Sequence, residues 1–125
     1  MGATIDDLVR EVRRLATEKP ENVYLGRFSY VSGECSDGSV GCIVGQAFRA
    51  IGIDPAKYDS FCGQGIAANA GRAAADAFAI SDIDIRCSKA HWLRSVQGSQ
   101  DRGDTWSAAV AFADSRNPPR SLPGE

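Results

Sequence analysis

Two residue types in this chain could support nucleophilic chemistry, a cysteine at the start of an apolar run and the single histidine. Cys42 opens the run Cys-Ile-Val-Gly-Gln at 42–46, and His91 is the only histidine. A catalytic thiol needs a base, and a helix N-terminus lowers a thiol pKa, so Cys42 with His91 predicts a small cysteine-dependent hydrolase or transferase. A buried structural thiol is the favoured alternative, because Cys42 adjoins two aliphatic residues and cysteine is among the residues most often fully buried.

The spacing of the cysteines is unlike that of a metal site. Cys35, Cys42, Cys62 and Cys87 leave gaps of 6, 19 and 24 residues. Structural zinc sites usually take their ligands in close C-x(2–4)-C pairs, and the chain has no such pair. We therefore predict neither a metal nor a cofactor. In a reducing cytosol the thiols should be free, and Cys35 with Cys42 is the pair to examine for a disulfide.

The glycines before the apolar run could present backbone amides to an anion. Asp37-Gly38 and Gly41 precede the predicted helix start, where amides and the helix dipole favour negative charge. The standard phosphate loop has four residues between its glycines and then Lys-Ser/Thr, which this stretch lacks. A small-ligand, nucleotide-binding protein is therefore one hypothesis, and a tight turn that leads into a buried helix is the favoured one.

A polar cluster beside an aromatic residue marks the C-terminal third of the chain. Gln97, Gln100 and Asp101 fall near one helix end, and Trp106 opens the next helix. A short helix–helix turn would bring these side chains together, as suits recognition of a partner or ligand. Gln46 is the further candidate for this binding site. The alternative, which we favour, is that the glutamines stabilise the turn and the indole is core.

Hydrophobic periodicity predicts the elements that must position these side chains. A helix is expected over 5–18, with Thr4 and Asp7 as a capping box and Pro20 after its end. A strand within 23–34 and the Asp37-Gly38 turn predict a small β-hairpin. Further helices are predicted over 43–51, with Gly52 to end it, over 63–80 and over 88–101, with one short helical turn over 55–58. The last is predicted over 106–113, with Asp104 or Thr105 as its cap. The expected fold is mainly α, a compact single domain of about five helices with the hairpin between the first and second.

Size and charge limit the classes of function. The 125 residues predict one domain over 1–115, followed by a flexible, proline-rich tail over 116–125. A net charge of -2 gives no footprint for sequence-blind nucleic-acid binding. No apolar run approaches the roughly 18 residues of a membrane span, so we expect a cytoplasmic protein without a membrane partner.

Two motifs carry a resemblance to a known group. The chain contains the helix start Cys-Ile-Val-Gly-Gln at 42–46 and the element Gln-x-x-Gln-Asp-x-Gly-x-x-Trp at 97–106. In both it resembles a family of small uncharacterised proteins of actinobacterial phages and actinobacteria. The resemblance implies a phage or actinobacterial accessory protein in the bacterial host cytosol, and it assigns no activity. Non-enzymatic binding of a host or phage protein is therefore the leading hypothesis, with a homodimer as a further prediction.

Overall fold

The structure, a computed structural model, describes residues 4–25, 33–54 and 88–116. These residues form four helices: α1 (Ile5–Glu18), α2 (Ile43–Ala50), α3 (Ser88–Asp101) and α4 (Trp106–Arg116). The mainly helical architecture is confirmed, but the five helices are not matched. Those predicted over 55–58 and 63–80, and the tail after Arg116, lie outside the described residues. None of the described helices combines the length and apolar character needed to cross a bilayer.

Helix α1 begins and ends where its sequence predicts. Thr4 Oγ1 accepts a hydrogen bond from the backbone N–H of Asp7 at 3.2 Å, and the Asp7 carboxylate accepts from the N–H of Thr4 at 2.9 Å. This reciprocal capping box satisfies amides that the helix itself leaves unpaired. On one apolar stripe Ile5 is partly buried, and the five other apolar residues are buried: Leu8, Val9, Val12, Leu15 and Ala16. The stripe packs α1 against the other three helices.

The C-terminus of α2 shows how the chain leaves a helix. Gly52 has a φ of +87°, a left-handed conformation that glycine adopts without steric cost. The N–H of Gly52 donates to the carbonyl of Arg49 at 3.1 Å, and that of Ile53 donates to the carbonyl of Phe48 at 3.0 Å. These two bonds form a Schellman motif. The glycine predicted to end this helix is confirmed in that role.

Of the predicted β-hairpin, the described residues show two isolated antiparallel bridges, Tyr24 with Cys35 and Glu34 with Val40, while residues 26–32 of the predicted strand lie outside them. Next to the first bridge, Ser36 Oγ accepts from the N–H of Val23 at 2.9 Å. A longer ladder would pair this amide with a backbone carbonyl instead. A local side-chain acceptor of this kind competes with strand pairing. The described segments therefore pair over single residues and form no extended strand.

Helices α3 and α4 make the most extensive helix–helix contact of the described fold. Thr105 is the N-cap of α4, since its Oγ1 accepts from the N–H of Ala108 at 3.2 Å. The first two amides of α4, those of Trp106 and Ser107, donate to the carbonyls of Asn22 and Pro20 at 2.9 and 3.1 Å. The turn that follows α1 thus holds the N-terminus of α4.

A three-residue cluster joins α1, α3 and α4 and runs from the buried Trp92 to the half-exposed Arg13 and Asp114. Arg13 donates two hydrogen bonds to the Asp114 carboxylate, at 2.7 and 3.0 Å, and Trp92 Nε1 donates to the same carboxylate at 2.9 Å. The Arg13 guanidinium also lies 4.9 Å from the centre of the Trp92 ring. Hydrogen bonding from Arg13 is the main reason that the pKa of Asp114 is below its usual value.

Candidate functional site

The two glutamines of α3 lie against the N-terminus of α2. Gln100 Oε1 accepts from the backbone N–H of Ile43 at 3.3 Å, and the Cys42 thiol donates to Gln97 Oε1 with a sulfur–oxygen distance of 3.6 Å. Cys42 is the N-cap of α2, and its sulfur accepts from the N–H of Gly45 at 3.4 Å. Both glutamines and the cysteine are fully buried. The backbone amides of Ile43 and Gly45, which an anion at this helix N-terminus would need, therefore already donate to side chains of the same chain.

Asp101 completes this buried cluster from the last turn of α3. Gln97 Nε2 lies 3.3 Å from each carboxylate oxygen of Asp101, and Gln100 Nε2 donates to one of them. The spacing i, i+3 and i+4 puts the three side chains on one helix face. Burial raises the pKa of Asp101 to about 6, and the two amide hydrogen bonds oppose that rise. The cluster thus contains one carboxyl group that titrates in a mildly acidic range.

Gln46, in the first turn of α2, belongs to a separate group and bonds to the turn that precedes the helix. Its Nε2 donates to Ser39 Oγ at 2.9 Å and to the carbonyl of Gly41 at 3.0 Å, and it lies 3.7 Å from Cys35 Sγ. The Cys35 thiol donates to the same Gly41 carbonyl at 3.3 Å. Desolvation is the largest cause of the raised pKa of Cys35. Gln46 therefore holds the turn in place.

Trp106 is fully buried in the core. Its backbone N–H donates to the Asn22 carbonyl, and Lys19 Nζ lies 6.0 Å from the centre of the indole ring. Both the indole Nε1 and the Asn22 Nδ2 are buried, and neither has a hydrogen-bond acceptor among the described residues. The structure therefore brings Gln97, Gln100 and Asp101 together, while the Trp106 ring packs inside the fold. The role of these residues in binding a ligand stays a prediction.

His91 is half-buried in α3. Helix geometry separates His91 from Gln97, the described α3 partner of the Cys42 thiol, by about 9 Å along the axis and about 120° around it. The thiol contacts Gln97 and Gly45, at 3.6 and 3.4 Å. A catalytic base needs hydrogen-bond reach to its nucleophile. The described contacts thus provide no support for the pairing of Cys42 with His91.

We expect Cys35 and Cys42 to react slowly with iodoacetamide in the native chain. Both thiols are buried, and only exposed thiolates react quickly. Peptide mapping by mass spectrometry should show each cysteine alkylated at least about tenfold more slowly at neutral pH than in denaturant, where no fold protects it. A Cys42 that reacts faster in the native chain would instead favour the cysteine-dependent enzyme.

Sequence reasoning missed the backbone partners of the cluster. A backbone N–H has no signature in a sequence pattern, although that of Ile43 donates to Gln100 Oε1. Asn22 was also missed, and its Oδ1 accepts from Ser36 Oγ at 3.0 Å and from the N–H of Asp37 at 3.1 Å. An asparagine soon after a helix end is a turn signal that could have found it. Among the described residues, no group of three or more His, Cys, Asp or Glu side chains could hold a metal ion.

Comparison with protein-family models, with curated proteins and with solved structures finds no match to this chain.

Proposed function

We propose that this protein acts without catalysis, by binding another protein in the cytosol of a bacterial cell, as an accessory protein of an actinobacterial phage or of an actinobacterium. One observation carries the proposal. The side chains best suited to chemistry are bonded to other parts of the same chain: Cys42, Gln46, Gln97, Gln100 and Asp101. Groups engaged in this way stabilise a fold, so function is left to the outer surface.

The same contacts argue against the two alternative functions. A cysteine-dependent enzyme needs an accessible thiolate, whereas Cys42 is fully buried. A phosphate site at the start of α2 needs free amides, whereas those of Ile43 and Gly45 donate to Gln100 and Cys42. Surface recognition of a partner needs neither group.

Chemical crosslinking of the full-length, affinity-tagged chain in actinobacterial cells, followed by mass spectrometry, tests the proposal. We expect one host or phage protein at near-stoichiometric yield, and the same yield from a Cys42→Ser variant that retains the fold. An unrelated small domain with the same tag serves as the control. Sedimentation of the purified chain detects a homodimer separately. Recovery of the bait alone, together with a monomer in solution, would contradict the proposal.

A further inference from the structure

Two exposed arginines lie over one half-buried aromatic ring at the α3–α4 end of the fold. The guanidinium carbon of Arg102 is 5.1 Å from the centre of the Phe112 ring, and that of Arg116 is 5.6 Å from it. Arg102 follows α3, while Phe112 and Arg116 are four residues apart on α4. Residues at that spacing lie on one helix face. The three residues form what we call the Arg102–Phe112–Arg116 surface.

The charges of this surface are not balanced within the part of the chain that the structure describes. Five other basic residues form ion pairs with carboxylates: Arg10, Arg13, Arg14, Lys19 and Lys89. Arg102 and Arg116 form none with any described residue. The two carboxylates nearest Arg102 in sequence are engaged elsewhere, because Asp101 accepts from the buried glutamines and Asp104 accepts from Ser99 Oγ at 2.6 Å.

Contact with the ring prepares both guanidinium groups for binding. A guanidinium over an aromatic face keeps its N–H groups available in its own plane, where they match both oxygens of a carboxylate. The contact also restricts the long side chain before binding, which lowers the entropy lost on association. Arg94 provides the contrast, since it is exposed on α3 and has neither an ion pair nor an aromatic contact with any described residue.

We propose that the Arg102–Phe112–Arg116 surface binds an acidic segment of the partner protein. In this complex, carboxylates of the segment pair with both arginines, and an apolar side chain between them covers the Phe112 ring. The proposal rests on the proposed function and names the chemistry of its partner. Two local cations on a chain with a net charge of -2 fit a short acidic peptide better than nucleic acid, which needs an extended basic stripe.

Fluorescence anisotropy with a defined probe tests this surface. The probe is a short fluorescein-labelled peptide of glutamates on both sides of a central phenylalanine, measured at low salt with the full chain. We expect the Kd of the Arg102→Gln, Arg116→Gln double variant to be about tenfold higher than that of the wild type, since each substitution removes one exposed ion pair with the peptide. Each single variant should fall between the wild type and the double variant. The matched control, Arg94→Gln, should stay within about twofold of the wild type.

Several results would overturn the proposal. They are an equal loss for Arg94→Gln, an unchanged Kd for the double variant, and tighter binding of a fluorescein-labelled single-stranded oligonucleotide than of the peptide. Circular dichroism confirms that each variant is folded, and Phe112→Leu reports the contribution of the ring separately. Crosslinking in cells distinguishes a failure of this surface proposal from a failure of the proposed function. Equal capture by the wild type and the double variant overturns this surface alone, whereas capture of nothing by the wild type overturns the proposed function.

Discussion

Replacement of Gln100 with leucine is expected to lower the free energy of unfolding by about 3 kcal/mol. Leucine fills a similar volume but can neither accept from the buried N–H of Ile43 nor donate to Asp101. A buried donor without an acceptor costs about 1–3 kcal/mol, and a lost hydrogen bond to a charged group costs about as much again. Urea unfolding monitored by circular dichroism measures the change, and the thermal midpoint should fall by roughly 10 °C.

Gln46→Leu is the matched control for this prediction. Gln46 is only half-buried, and its partners Ser39 and Gly41 belong to the turn before α2. Its loss should cost about 1 kcal/mol, the ordinary contribution of a hydrogen bond. If Gln100→Leu were no more destabilising than Gln46→Leu, the hydrogen bond from Ile43 to Gln100 would not be what holds α2 to α3.

The capped helices could be predicted from the sequence because their determinants are local. Thr4 and Asp7 begin α1, and Gly52 ends α2, through contacts within a few residues. Thr105 caps α4 in the same way, through the N–H of Ala108. Each of these residues places its bond partner at a fixed sequence offset. Spacing therefore predicts Thr4, Asp7 and Gly52, whereas for α4 it leaves a choice between Asp104 and Thr105 that the structure decides.

The extent of β-pairing around the Asp37-Gly38 turn could not be predicted from the sequence, because side-chain acceptors compete with the strands for the same amides. The Asp37-Gly38 signal is real, as Gly38 has a φ of +88° and Asp37 Oδ1 accepts from the N–H of Ser39 at 2.9 Å. Within the described residues the pairing nevertheless consists of single bridges, and next to the first of them the Ser36 hydroxyl takes the Val23 amide that a longer ladder would use. Whether a side chain or a strand takes an amide depends on distances that a sequence pattern does not contain.

The buried cluster could be predicted only in part. The i, i+3, i+4 spacing of Gln97, Gln100 and Asp101 indicates one polar helix face. Sequence does not indicate what that face meets, because the partner is the start of α2, more than fifty residues away. The two motifs that carried the resemblance therefore contact each other in the fold. One motif supplies the N-terminus of α2, and the other supplies the glutamines that accept hydrogen bonds from it.

Asp101→Asn is expected to stabilise the chain at pH 7 by about 2 kcal/mol and to have little effect below pH 4. Burial raises the folded-state pKa of Asp101 from 3.8 to about 6, so between these values the unfolded chain loses its proton first. The unfolded state then binds fewer protons, and stability falls as pH rises through this window. Asparagine keeps an oxygen that accepts from Gln97 and Gln100 but carries no charge. The figure is less than the full shift, because solvent reaches this half-buried side chain.

Urea unfolding of wild type and variant from pH 3.5 to pH 8 measures this difference, and Asp114→Asn is the control of opposite sign. Arg13 holds the pKa of Asp114 below 3.8, so that carboxylate contributes stability above its unfolded-state pKa and loses it as pH falls through the lower folded-state pKa. The control variant should be less stable than wild type at pH 7, and its deficit should shrink toward acid. An Asp101→Asn difference that does not change with pH would contradict a buried, charge-bearing Asp101. A difference that grows between pH 4 and pH 6 means that this carboxylate opposes folding at neutral pH, while its neighbouring amides reduce that cost.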